Sequence, residues 1–183
     1  MDKLVIEPIN HFSGSVNLPG SKSLSNRALL LAALAEGETH LENLLLSEDT
    51  ERMLNALSQF GITITFINEL SGLKSDQPTT QCIVTGNGRL FTPPNEGHFS
   101  LGNAGTAIRP LTSILSLCPG TFTIDGDQYM RERPIAHLTE ALVKLGARIS
   151  YLGKEGCPPI RVEGGAITGG RVSVRGDISS QYL

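Results

Sequence analysis

Residues 25–42 read SNRALLLAALAEGETHLE. The apolar run predicts a helix over residues 25–35, because it is long enough for three turns and is followed by a glycine. Gly37 is the residue expected to end this helix, and residues 39–42 follow as a short strand. The stretch therefore predicts a helix, a turn and a strand in immediate succession.

The same succession returns later in the chain. A second helix is predicted over residues 106–117, followed by Gly120 and a strand over residues 121–124. Gly120 lies 83 positions after Gly37. One structural unit is therefore expected at least twice.

Each copy continues in the same order, with another helix, another helix-ending glycine and two strands. Ser47 is the expected N-cap of the helix that ends before Gly61, and Gly146 ends a helix predicted over residues 135–145. Gly146 lies 85 positions after Gly61, so a second pair of glycines gives nearly the same period. The remaining strands are predicted over residues 15–18, 62–66, 82–85, 148–151 and 160–163. The repeated unit is βαβαββ.

A third copy begins near the end of the sequence. Residues 170–175 alternate as a strand does, and residues 177–181 resemble a helix opening. The sequence ends at Leu183, before the dozen or so residues that a stable helix needs, and we interpret this as a truncation. The expected fold is α/β, with two full units and the start of a third, at about residues 15–90, 98–165 and 166–183. A short strand over residues 4–9 is predicted ahead of the first unit.

Composition excludes several functional classes. The formal net charge is −3, from 15 basic and 18 acidic residues, and basic residues form no stripe, so nucleic acid is not an expected partner. The longest apolar stretch, residues 28–35, is too short to span a bilayer, so no membrane association is expected and the cytoplasm is the expected location. The cysteines and histidines lack metal-ligand spacing, so no metal site is expected and the cysteines are interpreted as reduced thiols. These residues are Cys82, Cys118, Cys157, His11, His40, His98 and His137.

Three segments rich in small polar residues fall where a strand is expected to lead into a helix. They are residues 19–23, 101–106 and 179–181. A helix N-terminus presents unpaired N–H groups and the positive end of the helix dipole. Convergence of three such starts would bind phosphate or carboxylate without an excess of basic residues.

Lys22, Ser23 and Arg27 form the sharpest cluster of candidate ligand-binding residues. Ser23 and Arg27 are four positions apart and share one helix face, with Lys22 expected just ahead of the helix. A plain capped helix with solvated charges is the alternative interpretation. An ATP-binding Walker loop is excluded by spacing, because Ser21 separates Gly20 from Lys22.

Arg133 lies in a second candidate position, just ahead of the helix predicted over residues 135–145. Pro134 is expected at the first position of that helix. Arginine favours bidentate contacts with carboxylate or phosphate, so Arg133 is a candidate anion ligand. An ion pair with Glu132 or Asp127 is the alternative.

Four motifs together resemble those of a known family. They are LPGSKS at residues 18–23 with Asn26-Arg27, LGNAGTA at residues 101–107 with Arg109-Pro110, RERPI at residues 131–135, and SSQ at residues 179–181. In this order they cover essentially the whole chain, which resembles bacterial 5-enolpyruvylshikimate-3-phosphate synthases. The resemblance implies an inside-out α/β barrel, the enolpyruvyl transferase fold, with two domains of three βαβαββ units and substrates bound between them. Residues 1–18 would belong to the other domain, and residues 19–183 would form an incomplete N-terminal substrate-binding domain.

The resemblance also implies roles for individual residues. Shikimate 3-phosphate would contact Lys22, Ser23, Arg27, Ser179, Ser180 and Gln181. Phosphoenolpyruvate would contact Lys22, Gly105, Arg133 and Gln181, while Asn103 and Thr106 would shape the neighbouring helix start. Lys22 would also be catalytic, by assisting proton transfer, and no cofactor would be needed.

The implied reaction moves the carboxyvinyl group of phosphoenolpyruvate to the 5-hydroxyl of shikimate 3-phosphate and releases phosphate, in aromatic amino-acid biosynthesis. The family's acid and base carboxylates would lie beyond Leu183, so the isolated chain is expected to be inactive. A non-catalytic anion-binding fragment is one alternative function. UDP-N-acetylglucosamine enolpyruvyl transferase is another, disfavoured by Lys22-Ser23 and residues 179–181. The full-length form is expected to be a monomer, whereas the isolated chain could self-associate.

Overall fold

The structure, a computed structural model, describes residues 3–6, 8–16, 18–67, 80–92, 96–165 and 167–174. Within these ranges the chain forms four α-helices, one short 3-10 helix and seven strands. The first unit contains α1 (Lys22–Leu34), β1 (Glu36–Leu44), α2 (Glu48–Gln59), β2 (Thr63–Ile67) and β3 (Thr80–Asn87). The second contains β4 (Glu96–Ser100), α3 (Gly105–Leu117), β5 (Gly120–Asp125), the 3-10 helix (Met130–Glu132), α4 (Ala136–Lys144), β6 (Arg148–Tyr151) and β7 (Ile160–Gly164).

Local capping explains where the helices of the first unit begin. The Ser21 side chain accepts a hydrogen bond from the Leu24 amide, so α1 starts three residues earlier than the apolar pattern predicted. Ser47 and Thr50 form a reciprocal capping box at the start of α2, which confirms the predicted N-cap. Gly61, at a φ of +73°, follows α2 as predicted.

The repeat is confirmed by position and by topology. Both ends of α3 lie 83 positions after the corresponding ends of α1. One sheet has the strand order β1-β3-β2, and the other has the order β4-β5-β7-β6. The antiparallel triplet β1-β3-β2 therefore corresponds to β5-β7-β6, and β4 adds a parallel strand beside β5.

Three predicted strands were wrong in the residues that the structure describes. Residues 4–6 and 8–9, residues 15, 16 and 18, and residues 170–174 all lie outside regular secondary structure. Alternation of apolar residues indicates which face of a strand would be buried, but a strand forms only when a partner strand lies within hydrogen-bonding reach. The opening segment is instead exposed, with Leu4, Val5 and Ile6 each at least 79% accessible.

One buried cluster runs through both units. It includes Leu29 of α1, Leu57 of α2, Leu111 of α3 and Phe122 of β5. Aromatic stacking adds to this contact, because the ring of Phe60 lies 4.5 Å from that of Phe91 and 5.0 Å from that of Phe99. This shared packing holds the starts of α1, α2 and α3 in a fixed relation to one another.

In each unit, one glycine lies where a strand packs closely against the end of a helix. A Cβ on Gly86 of β3 would overlap the carbonyl oxygens of Ala32 and Ala35 at the end of α1. A Cβ on Gly164 of β7 would overlap those of Leu115 and Cys118, at the equivalent turn of α3. Only glycine lets strand and helix backbones approach this closely.

The three cysteines are free and buried. Burial raises the pKa of the Cys82 thiol and that of Cys118, the latter in spite of a backbone hydrogen bond from Phe91 that acts in the opposite direction. Across the described ranges, no helix has both the length and the apolar character needed to cross a bilayer.

Candidate functional site

The start of α1 carries the first three candidate residues. Lys22 is the first residue of the helix, so the prediction that it lies just ahead of the helix was wrong; the Ser21 cap is the reason. Arg27 is exposed, and its Nε donates a 3.2 Å hydrogen bond to the carbonyl oxygen of Ser23. Ser23 and Arg27 therefore lie on one face of α1, as their spacing predicted.

Asp49 connects this helix start to two others. Its Oδ2 atom lies 3.3 Å from Lys22 Nζ and accepts a 3.0 Å hydrogen bond from Thr106 Oγ1. Thr106 Oγ1 in turn accepts a 2.7 Å hydrogen bond from Asn26 Nδ2. Because Asp49 is in the first turn of α2 and Thr106 in that of α3, this network joins the starts of three helices.

The direction of each hydrogen bond in this network is fixed by chemistry. An ionised carboxylate only accepts, so the Thr106 hydroxyl must donate to Asp49 and accept from the Asn26 amide. The other polar atom of the Asn26 side chain, Oδ1, is buried and has no hydrogen-bond partner among the described residues. Asp49 and Asn26 were missed as site residues by sequence reasoning, which interpreted Asp49 only as part of a capped helix start.

The start of α3 brings together Gly105, Asn103 and Arg133. Arg133 Nη1 donates to Asn103 Oδ1 at 2.9 Å and to the Asn103 carbonyl at 3.3 Å. Ala104 is the N-cap residue, and no side chain caps α3, in contrast to α1 and α2. An anion at this turn would meet no capping side chain, although the Gly105 and Ala107 amides already donate to the Asn103 and Ala104 carbonyl oxygens.

A second guanidinium, that of Arg109, lies at the same turn; sequence reasoning named this residue as part of a motif but gave it no role. Arg109 Nη1 donates a 3.0 Å hydrogen bond to the carbonyl oxygen of Gly105. A Cβ on Gly105 would lie 2.9 Å from Arg109 Nη1 and 3.2 Å from Arg133 Nη2. The absence of a side chain at residue 105 therefore lets both guanidinium groups approach the helix start.

Around Arg133, one sequence prediction was wrong and one alternative interpretation does not correspond to the structure. Pro134 is not the first residue of α4, because Ile135 is the N-cap and the Ile135 amide is held outside the helix by a 2.8 Å hydrogen bond to the Gly156 carbonyl. Asp127, one alternative partner for Arg133, accepts a hydrogen bond from the Met130 amide instead.

The remaining predicted residues, Ser179, Ser180 and Gln181, lie outside the described residues. The described site thus contains two cation-bearing helix starts linked through Asp49 and Thr106. Lys22, Ser23 and Arg27 are on one side, and Asn103, Gly105 and Arg133 are on the other. Such an arrangement suits a ligand, or a pair of ligands, with several negative charges.

Gly105→Ala is expected to weaken anion binding at the start of α3 by about tenfold, since misplacing a binding group by a fraction of an ångström has effects of this order. The new methyl group would push two flexible guanidinium ends, so we expect the free energy of unfolding to change by less than about 1 kcal/mol. Titration with phosphoenolpyruvate followed by NMR, beside urea unfolding, measures both quantities. A large loss of stability with unchanged affinity would contradict this prediction.

Comparison with known proteins found relatives along the whole chain. A family model described as EPSP synthase (3-phosphoshikimate 1-carboxyvinyltransferase) matches residues 6–183. The 3-phosphoshikimate 1-carboxyvinyltransferase of Sulfurovum sp. (strain NBC37-1) is 50% identical over 183 residues, which are 100% of this chain and 41% of that protein. The protein of the same name from Tolumonas auensis is 51% identical with the same coverage. The chain thus spans 41% of the length of these curated relatives.

Solved structures show the same fold. An EPSP synthase from Acinetobacter baumannii matches with a TM-score of 0.76 and 30% identity, over 92% of this chain and 36% of that one. The enolpyruvyl transferase NikO from Streptomyces tendae matches with a TM-score of 0.50 and 12% identity, over 82% of this chain and 32% of that one, and this likeness supports the fold alone. The predicted fold class is therefore confirmed. The chain belongs to the EPSP synthase (3-phosphoshikimate 1-carboxyvinyltransferase) family.

Proposed function

We propose that this chain provides one side of the substrate site of a 3-phosphoshikimate 1-carboxyvinyltransferase. The observation that carries the proposal is the network in which Asp49 contacts Lys22 and Thr106, because it places the starts of α1 and α3 side by side. Two anionic substrates that must react with each other need two adjacent cation-bearing subsites.

The first subsite is assigned to shikimate 3-phosphate. Lys22, Ser23 and Arg27 offer an ammonium, a hydroxyl and a guanidinium on one helix start, where Lys22 and Arg27 are exposed and Ser23 is half-buried, which suits a phosphate monoester. Ser179, Ser180 and Gln181 join this subsite on the strength of the motif resemblance alone.

The second subsite is assigned to phosphoenolpyruvate. Arg133 and the uncapped turn at Gly105 would hold its charged groups, with Asn103 orienting Arg133 and Thr106 linking the turn to Asp49. Lys22, whose side chain is 48% exposed, would contact both substrates and assist proton transfer between them. Gln181 is placed here by resemblance.

In the complete reaction, the 5-hydroxyl of shikimate 3-phosphate attacks C2 of phosphoenolpyruvate while the methylene carbon gains a proton. The tetrahedral intermediate then loses a proton from its new methyl group and expels phosphate, which restores the carbon–carbon double bond and leaves the carboxyvinyl ether. Preorganised cations lower the barrier because they offset repulsion between the two anions. The reaction needs no organic cofactor, and we place it in the cytoplasm.

The domain division follows the same proposal. Residues 19–183 would form the substrate-binding side, and residues 1–18 would pack in another domain of a monomeric full-length protein. The exposed apolar side chains of Leu4, Ile6 and Ile9 support this division, because a covering partner would remove them from water.

Lys22→Ala is expected to lower the affinity of the chain for shikimate 3-phosphate at least about tenfold, because a charge-assisted contact to phosphate is lost. NMR titration of the chain with shikimate 3-phosphate gives the affinity and shows whether signals near Lys22 and Arg27 move. Lys154→Ala, which removes an exposed lysine from the turn between β6 and β7, is the matched control and should bind as the wild type does.

Equal binding by both variants, or no shifts near Lys22 in the wild type, would contradict the assignment of this subsite. A separate assay of phosphate release tests for turnover. Because the chain spans 41% of its relatives, a non-catalytic anion-binding role for the isolated chain is the second candidate function. Binding without phosphate release supports that role, whereas release by the purified chain would reject it.

A further inference from the structure

Arg133 lies two residues after Arg131, whose guanidinium group pairs with the carboxylate of Asp125. Arg131 donates from Nε to Asp125 Oδ1 at 3.0 Å and from Nη2 to Asp125 Oδ2 at 2.6 Å. The Asp125 side chain is only 12% exposed, and its Oδ1 also accepts a 2.7 Å hydrogen bond from the Gly126 amide. A bidentate pair with a nearly buried carboxylate fixes both position and orientation of the guanidinium.

Backbone hydrogen bonds carry this constraint to Arg133. The Arg131 amide donates a hydrogen bond to the Asp127 carbonyl, and the Arg133 amide donates one to the Met130 carbonyl. Backbone hydrogen bonds therefore fix the 3-10 helix both to the residue before it and to the residue after it. Arg131 belongs to that short helix, and anchoring its side chain anchors the whole turn. The backbone position of Arg133, which follows this turn directly, is therefore fixed as well.

The same loop is attached to the start of α3. The Leu101 amide donates to the Asp125 carbonyl at 2.9 Å, and the Asp127 amide donates to the Gly102 carbonyl at 3.1 Å. The loop that carries Arg133 and the loop that carries Asn103 are therefore joined by two backbone hydrogen bonds beside Asp125. This explains how the exposed Arg133 guanidinium comes to lie 2.9 Å from Asn103 Oδ1.

We propose that Asp125 and Arg131 are positioning residues for the anion site, which hold the Arg133 guanidinium against Asn103 and Gly105 without touching the ligand. The inference deepens the proposed function, since the ligand of Arg133 is taken to be phosphoenolpyruvate. Neither residue was identified as functional by sequence reasoning. The pair also stays ionised at neutral pH. Burial raises the pKa of Asp125, but the hydrogen bonds from Arg131 and Gly126 lower it by more than burial raises it, so the pKa lies below its usual value.

Asp125→Asn and Arg131→Lys test the inference on the 183-residue chain. Both substitutions are expected to weaken phosphoenolpyruvate binding about tenfold, because a displaced Arg133 guanidinium no longer lies in the position that contacts the anion. Binding of shikimate 3-phosphate at Lys22 and Arg27 should stay within about twofold of the wild type, since neither Asp125 nor Arg131 shares a hydrogen bond or ion pair with those two residues in the described part of the chain. Arg148→Gln is the matched control, because Arg148 forms an exposed ion pair with Glu163 on the neighbouring strands β6 and β7.

A double-mutant cycle separates positioning from a general structural role. If Asp125 acts through Arg133, then Asp125→Asn causes no further loss of phosphoenolpyruvate affinity in an Arg133→Gln background. Independent, additive losses in the double variant would overturn the inference. Arg131→Lys keeps a positive charge opposite Asp125, so at least one variant is expected to stay folded at the temperature of measurement.

A second readout needs no ligand. The NMR order parameter of the Arg133 Nε–Hε group is expected to fall in both variants and to stay unchanged in Arg148→Gln. An unchanged Arg133 order parameter in Asp125→Asn overturns the inference. A wild-type chain that binds neither anion would instead contradict the proposed function, while the order parameter would still decide whether Asp125 and Arg131 position Arg133.

Discussion

Gly164→Ala is expected to lower the free energy of unfolding by about 3 kcal/mol, at the upper end of the losses caused by overpacking. The new Cβ would overlap the backbone oxygens of Leu115 and Cys118, neither of which can move without bending the last turn of α3. Strand β7 would have to move away from the helix and from the buried side chains between them. Urea unfolding followed by circular dichroism measures the change.

Gly86→Ala provides an internal repetition of this experiment. Its Cβ would overlap the equivalent oxygens of Ala32 and Ala35, so a loss of similar size is expected in the first unit. Gly153→Ala is the control, because the nearest atom to its Cβ would be Pro159 Cδ at an ordinary contact distance of 3.4 Å. If Gly164→Ala were as stable as Gly153→Ala, the close packing of β7 on α3 would be contradicted.

Asp49→Ala is expected to lower the free energy of unfolding by about 2 kcal/mol, chiefly because the Thr106 hydroxyl, which accepts a hydrogen bond from the Asn26 amide, loses the acceptor of its own proton. The ion pair itself contributes little to this figure, since the Lys22 side chain is 48% exposed. Thr106→Val should cost a similar amount, and the double variant should lose less than the sum of the two single losses.

Glu48→Gln is the matched control for Asp49→Ala. It neutralises an acidic side chain in the same turn of α2, but Glu48 is 74% exposed and, among the described residues, pairs with Arg52 alone, four residues further along the helix. A change within about 0.5 kcal/mol is expected for such a pair. Equal losses in the two variants would show that Asp49 acts merely through the helix dipole, and that the network across three helix starts contributes nothing.

The repeat was within reach of sequence analysis because its markers are local. Serine caps and helix-ending glycines act through the backbone of their own turn, so Ser47 and Gly61 correspond to observed features. Gly37 and Gly120 gave the correct period of 83 residues, but the expectation that Gly37 ends the first helix was wrong, because Ala35 is the C-cap of α1 and Gly37 lies within β1. The cluster of Ser23 and Arg27 is local in the same sense, since four residues make one turn of helix.

Features that depend on distant partners could not be obtained in this way. Asp49 was interpreted as an acidic residue in a capped first turn, and nothing near it in sequence indicates that residue 106 would lie within 3.0 Å. In the described residues, the predicted strands over residues 4–9, 15–18 and 170–175 failed for the same reason, because strand pairing depends on which segments lie alongside. The anchoring of Arg131 by Asp125 likewise arises from a turn whose path the sequence pattern does not specify.

The buried thiols allow the rate of local opening in this molecule to be measured by chemical labelling. A thiol reacts with an alkylating reagent only when it is exposed and ionised, and Cys118 is neither in the folded chain, since it is buried and its pKa is raised. Cys118 caps the end of α3 and its carbonyl oxygen lies against Gly164. The labelling rate of Cys118 therefore reports how often β7 separates from α3. The labelling rate of Cys82 on β3 reports the corresponding opening of the first unit.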